Sequence, residues 1–365
     1  MTRLLSLACL PLLLALGCAR PSEQRAERDL VIGQATAQNV AVRVDQGLAA
    51  VREISADAIV LWGSAPTFTF SLEVDRATTT RLELQNTLVD AELVSIATTA
   101  PVTLRELAPP VPTRHVFELE LPPGVSTFRV APNDSESEAP FRFALMSDVQ
   151  EAIDRVSDIF RRLNVEPGVR FLLGAGDLTQ RGTLEQTEQY QRELLALDVP
   201  YFTTLGNHEL GTDPPLYQDY FGRANFHFVF KGVEFTLLDS GSATIDPMVY
   251  DWLDGWLDAA RSRVHVVSMH IPPLDPIGVR NGCFASRAEA AKLLGRLAEG
   301  QVDLTVYGHI HSYYEFENAG IPAYISGGGG AIPERFDRIG RHFMVFDVDS
   351  ENGIRETHRI DIDVN

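Results

Sequence analysis

Cysteine is scarce in this chain: Cys9, Cys18 and Cys283 are the only three among 365 residues. So few cannot build the disulfide framework on which small secreted folds depend. Positive charge is also in deficit, with 31 Lys+Arg against 50 Asp+Glu and a formal net charge of −19. The long-range field of such a chain repels polyanions, which argues against wrapping nucleic acid or adsorbing to an anionic membrane surface. A small anionic substrate stays open, because a local site can reverse the sign. The long apolar run at residues 4–16 is broken by Pro11 and is too short to span a bilayer as a helix. No long internal repeat is visible. What the chain does have is apolar residues, 45% of the total beside 22% charged, and this excludes wholesale disorder. Its length suits two domains or one large one.

The first 17 residues, with Arg3 ahead of the apolar run, read as a secretory signal and are set aside from the fold. Residues 14–18 resemble the lipobox of bacterial lipoproteins, which implies cleavage before Cys18 and a lipid anchor on it. Ala15 stands where that motif prefers Leu, and a plain signal cut elsewhere is the alternative. Cys9 leaves on either reading. The expectation is an exported protein, membrane-anchored through Cys18 on the periplasmic or cell-surface side, with Cys283 a free thiol. Residues 18–30 are polar and suit a flexible tether.

From residue 31 to 131 the pattern has period two. Phe68, Phe70, Leu72 and Val74 alternate with polar residues, as do Phe117, Leu119 and Leu121, and turn-forming Gly and Pro separate the runs. This predicts an all-β sandwich of roughly seven strands. His115 stands alone there, a structural group rather than part of a catalytic cluster. The proline-bounded polar stretch 132–140 reads as the linker. Beyond it, in 141–365, apolar strands at 141–146, 169–173, 201–205, 264–269 and 304–307 alternate with helical stretches, the pattern of a layered α/β domain. A helix near 286–299 carries the stripe Ala290, Leu293, Leu294, Leu297, with Ser286 and Glu289 as a capping box.

The polar residues that carry chemistry fall where those strands end. Asp148 follows the first strand and Asp177 the second, while Gly206-Asn207-His208-Glu209 follows the third. His270 ends the fourth, and Gly308-His309-Ile310-His311 ends the fifth. Open α/β sheets place ligands at the carboxyl ends of their strands, so five motifs converge on one site. Carboxylate and amide oxygens beside imidazole nitrogens form a donor set for metal ions. Each motif alone is commonplace, and it is their joint occurrence that signifies.

As a set, these motifs in residues 141–350 resemble the calcineurin-like metallophosphoesterase superfamily, whose pattern runs D-x-H, G-D, G-N-H-E/D, H and G-H-x-H. The resemblance implies a four-layer αββα sandwich, preceded here by the β-sandwich domain, and two divalent ions (Mn, Fe or Zn). By position, Asp148 and His311 would hold the first ion; Asn207, His270 and His309 the second; and Asp177 both. His208 would stabilise the transition state or protonate the leaving oxygen of a phosphate-ester substrate. Two ions outweigh two carboxylates and a bridging hydroxide nucleophile, leaving a local positive centre in an acidic protein.

The chain departs from the family pattern twice. Gln150 stands where D-x-H has histidine: its amide oxygen could still ligate the first ion, better for Mn²⁺ or Fe²⁺ than for zinc-like ions, or it could be a solvated helix-start residue. Gln180 stands where phosphoprotein phosphatases carry an Asp that orients the histidine and where purple acid phosphatases carry a Tyr. Neither an Asp–His dyad through that residue nor a tyrosinate–iron centre is therefore expected. Gly327–Gly330 is either a plain turn or a place where backbone approaches a substrate, and the segment 271–283 borders the substrate region. Glu209 either orients His208 or is exposed. His342 reads as structural, and Trp252, Leu253 and Trp256 as core. The leading reading is phosphate-ester hydrolysis. The alternative is a non-catalytic surface module with a degenerate metal site, its β-domain binding a protein partner of unknown kind.

Overall fold

The computed structural model describes residues 21–55, 57–212, 215–278 and 282–362. The signal segment and Cys18 lie outside them. The first element is a helix, α1 (Pro21–Asp29), so the expected flexible tether is corrected. Its buried face is Ser22, Arg25, Ala26 and Asp29, the i, i+3, i+4, i+7 side of a helix. Only Ala26 is apolar, so no hydrophobic stripe marks this helix in the sequence, and the face docks by polar chemistry instead. Arg25 Nε donates to Asp239 Oδ2 at 2.6 Å, and its Nη2 donates to Ser242 Oγ at 3.0 Å. Asp29 accepts from Gln218 Nε2, Ala224 N, Asn225 N and Asn225 Nδ2, all within 2.9 Å.

Ten strands follow: β1 (Gln34–Ala37), β2 (Val40–Val44), β3 (Ala49–Ile54), β4 (Ala58–Gly63), β5 (Phe68–Val74), β6 (Thr78–Gln85), β7 (Ala91–Thr98), β8 (Thr103–Leu107), β9 (Arg114–Leu121) and β10 (Gly124–Pro132). They form two five-stranded sheets, β1-β2-β5-β10-β7 and β3-β4-β6-β9-β8. The count exceeds the expected seven because edge strands such as β1 and β8 bury no side chain fully and so carry no clear alternation. The inward residues Phe70, Leu72 and Phe128 of one sheet and Leu82, Leu119 and Leu121 of the other share one core.

The C-terminal half runs β11 (Phe141–Met146), α2 (Ser157–Leu163), β12 (Val169–Ala175), α3 (Leu184–Glu193), β13 (Tyr201–Thr204), α4 (Tyr217–Phe221), β14 (Phe226–Phe230), β15 (Val233–Leu238), α5 (Pro247–Ala260), β16 (His265–Met269), α6 (Arg287–Glu299), β17 (Leu304–Tyr307), β18 (Tyr313–Asn318), β19 (Ile321–Ser326), β20 (His342–Asp349) and β21 (Gly353–Asp361). Two sheets result, β13-β12-β11-β20-β21 and β14-β15-β16-β17-β19-β18. Strand alternation sorts the layers. Ala144 and Met146 pack on Ile159 and Phe160 of α2, whereas Phe143 and Leu145 face the opposite sheet. On the far side, Val267 and Met269 pack on Leu253 of α5 and Leu293 of α6. Between the sheets lie aromatic rings, Phe143 with Phe171, Phe235 and Phe346 among them. This is the expected αββα sandwich behind a β-domain.

Helix α6 starts with half of the expected capping box. Ser286 Oγ accepts from Glu289 N at 3.3 Å. The Glu289 carboxylate turns away instead and accepts from Thr244 Oγ1 at 2.6 Å and Ile245 N at 2.8 Å, tying the helix to a neighbouring loop. The two halves of the molecule are joined by Asn86. Its side-chain amide pairs with the backbone of Tyr201, accepting from Tyr201 N at 2.7 Å and donating to Tyr201 O at 2.8 Å. An amide that mimics a peptide unit covers the open edge of β13. The inter-sheet core of the sandwich is continuous with the core of the β-domain.

Candidate metal centre

The loops after β11, β12, β13, β16 and β17 meet at one end of the sandwich. Four side chains from them stand on backbone in the left-handed region, Asp148 (φ +62°), Gln150 (+48°), Asp177 (+55°) and His309 (+71°). Non-glycine residues avoid that conformation, so the loops hold these residues against a local cost of about 1–2 kcal/mol each. Two glycines permit the crowding. A Cβ on Gly206 would lie 2.1 Å from Asp177 Oδ1, and one on Gly308 would lie 2.4 Å from Ser147 Oγ.

The structure brings all eight sequence-derived residues together. Asp177, His270 and His309 each bring a ligand atom within 4.8 Å of one another. His270 Nε2 lies 3.2 Å from Asp177 Oδ2 and 3.1 Å from Asn207 Oδ1. On the other side, His311 Nε2 lies 3.5 Å from Asp148 Oδ1. Gln150 Nε2 lies 2.9 Å from Asp177 Oδ2 and 3.1 Å from His311 Nε2. Gln150 is therefore buried among the ligands rather than solvated. His208 is 27% exposed, its Nε2 3.8 Å from Asp177 Oδ2. Its Nδ1 is 2.8 Å from the Gln180 carbonyl oxygen. The backbone of Gln180 thus does what its side chain cannot, fixing the imidazole with Nδ1–H outward and Nε2 toward the cluster.

Supporting residues hold this geometry, and sequence reasoning missed the principal one. Glu209 is buried rather than exposed, and its carboxylate is taken up by other partners than the His208 ring. Its Oε2 accepts from Asp177 N at 2.9 Å and Gly206 N at 2.8 Å; its Oε1 accepts from Thr179 N and Thr179 Oγ1 at 3.0 Å. One carboxylate thereby clamps the β12 and β13 loops together. Nothing in the sequence marks this clamp, because it depends on two loops meeting in the finished fold. Asp148 Oδ2 accepts from His309 N at 2.9 Å and touches Ser147 Oγ. The 327–330 glycines are a packed cradle rather than a free turn. Gly329 N donates to Ser147 O at 2.8 Å, and a Cβ on Gly327 would lie 2.1 Å from Ile310 O. His115 and His342 are buried, each bonded to a backbone carbonyl. Leu253 is core, with Trp252 and Trp256 partly buried against it. Cys283 is a free thiol.

The electrostatics call for cations. Burial pushes the Asp148 carboxyl above its ordinary range, with His270 and His311 opposing. Burial also penalises the Asp177 charge, but His270 and His208 outweigh it and hold that carboxyl well below the usual range. Burial works against a charged His270 as well, yet the Asp177 and Asp148 carboxylates carry it up to about 9. Asp148 Oδ1 is buried without a hydrogen-bond partner. An orphaned carboxylate oxygen, a second carboxylate and converging imidazoles fit a site for divalent metal ions.

Fold and site together define a phosphoesterase domain of the metallophosphoesterase kind. Residues 141–313 match the family model of calcineurin-like phosphoesterases. A 3',5'-cyclic-nucleotide phosphodiesterase of Nostoc sp. is 27% identical over 167 residues, 43% of this chain. The match spans 61% of that relative's length. The purple acid phosphatase PPD1 from yellow lupin (Lupinus luteus) seeds superposes with a TM-score of 0.51 at 14% identity, over 82% of this chain and 73% of its own. That coverage is more than the C-terminal half supplies, so the likeness of fold extends into the β-domain.

Proposed function

We propose that this chain hydrolyses phosphate mono- or diesters at a dinuclear metal centre. The observation that carries the proposal is the convergence of Asp177, His270 and His309 within 4.8 Å beside the unpartnered Asp148 oxygen. Asp148, Gln150 and His311 would hold the first ion, Asn207, His270 and His309 the second, with Asp177 shared. The bound ions would supply the positive charge that seats a phosphate and acidifies a water to hydroxide for in-line attack. The protein's own part is positional. His270 is oriented by its Nδ1, 2.7 Å from the Ala175 carbonyl, and His311 by its Nδ1, 2.7 Å from the Ile332 carbonyl. His208, locked by Gln180, presents Nε2 to hold a proton for the leaving oxygen. The Nostoc relative makes a cyclic nucleotide the first diester to try.

The test is chelator-sensitive hydrolysis of mono- and diester model substrates with Mn²⁺, Fe²⁺ or Zn²⁺, together with metal content. Asp177→Asn is expected to abolish turnover and weaken metal binding. His208→Ala is expected to lose turnover, about 10²–10⁴-fold, and keep its metal. Equal metal loss in both variants would contradict the separate roles, and loaded protein without hydrolysis would favour the binding-module reading. We also propose export and a lipid anchor on Cys18. With α1 docked from Pro21 onward, the folded body would begin almost at the anchor. The protein should fractionate with membranes, and Cys18→Ser should release it; a membrane-bound Cys18→Ser protein would refute the anchor.

A further inference from the structure

We propose that Gln150 makes the two cation positions unequal, its amide acting as a built-in stand-in for the first ion. The inference rests on the dinuclear reading above and goes beyond it. Gln150 Nε2 carries two N–H groups, and two acceptors stand at 2.9 and 3.1 Å from it, Asp177 Oδ2 and His311 Nε2. The lone pair of His311 faces this amide, because its Nδ1–H is spent on the Ile332 carbonyl. Both acceptors belong to the set that would hold the first ion. The amide is fixed from behind as well: its residue is buried, its backbone N donates to Asp177 O at 3.3 Å, and its φ is +48°.

The reversed amide would set Oε1 against a carboxylate oxygen and a nitrogen lone pair, which is repulsive unless a cation lies between them. Filling the first position therefore requires breaking two hydrogen bonds to buried ligands and turning the amide over. Histidine at this place would offer a nitrogen lone pair where glutamine now sets an amide N–H. At the second position the amide of Asn207 already turns its oxygen to the cluster, Oδ1 lying 3.1 Å from His270 Nε2. Once His270 yields its proton, no amide has to turn at the second position, so it should fill first and the first should fill weakly. When it does, a hard amide oxygen favours ions such as Mn²⁺ or Mg²⁺ over zinc-like ones.

The test is metal content after gel filtration together with calorimetric titration of full-length metal-free protein with Mn²⁺. The native chain is expected to retain one equivalent and to bind the second about tenfold or more weakly, the scale of effects seen when contacts around a ligand are altered. Gln150→His should retain two equivalents with the weak step tightened, and Gln150→Glu should do the same through its charge. Unchanged far-UV dichroism shows that each variant folds. A native chain that holds two equivalents with equal affinity, or a weak step that neither substitution tightens, overturns the inference and leaves the dinuclear reading standing. A chain that binds no ion overturns both.

Discussion

A buried pair of carboxylates with no cation between them must take positive charge from elsewhere, and His270 is placed to supply it. Its pKa of about 9 means that the metal-free site holds a proton on Nε2, donated toward Asp177 and Asn207. An ion ligated by that nitrogen has to displace the proton. At pH 7, metal uptake should therefore release a proton, and affinity at that position should rise about tenfold per pH unit until about pH 9, then level off. Calorimetry in buffers of differing ionisation enthalpy reads the proton directly; uptake with no proton released at pH 7 would exclude a charged His270. The same shift sets the stability of the metal-free protein. A folded pKa above the ordinary 6.5 adds stability that is complete below 6.5 and is lost as pH climbs through about 9.

Among the elements, what could be read from sequence was what period and motif encode. The strands that end in Asp148, Asp177, Asn207, His270 and His309 are apolar runs, and their polar ends converge because parallel strands present their carboxyl ends together. The clamp by Glu209 was not legible, since its partners are backbone N–H groups of loops whose meeting depends on the finished fold. Helix α1 was illegible for a different reason: its buried face is Ser22, Arg25 and Asp29, and hydrophobic periodicity is blind to a polar stripe. That stripe makes a firm prediction. Arg25 and Asp239 form a buried ion pair, 3% and 4% exposed. Arg25→Ala would leave Asp239 as a buried charge without its partner, at a cost of about 3–5 kcal/mol. Chemical denaturation should show that loss, with faster proteolysis near residue 30 if α1 lifts away. A variant as stable as the native chain would mean that α1 is only loosely held.

For the molecule as a whole, the long-range field and the local site oppose each other. The net charge of −19 repels any phosphate ester at a distance, whereas the proposed metal-loaded centre would attract it at contact. The two act over different lengths, and salt separates them. The Debye length falls from about 30 Å at 0.01 M to about 8 Å at 0.15 M, which removes the distant repulsion and leaves the buried centre almost untouched. Across that range kcat/KM should rise severalfold for a phosphomonoester dianion while kcat stays nearly constant, because the gain lies in encounter rather than in chemistry. A phosphodiester carries a single charge and should show a shallower rise on the same protein. That comparison distinguishes screening from any direct action of the salt on the site, provided that the salt's own ions do not coordinate metal. A kcat/KM that falls with salt would mean that the positive centre projects beyond the acidic surface and steers substrate inward. The domain would then owe its substrate capture to an exposed field instead of to contact at the metal site.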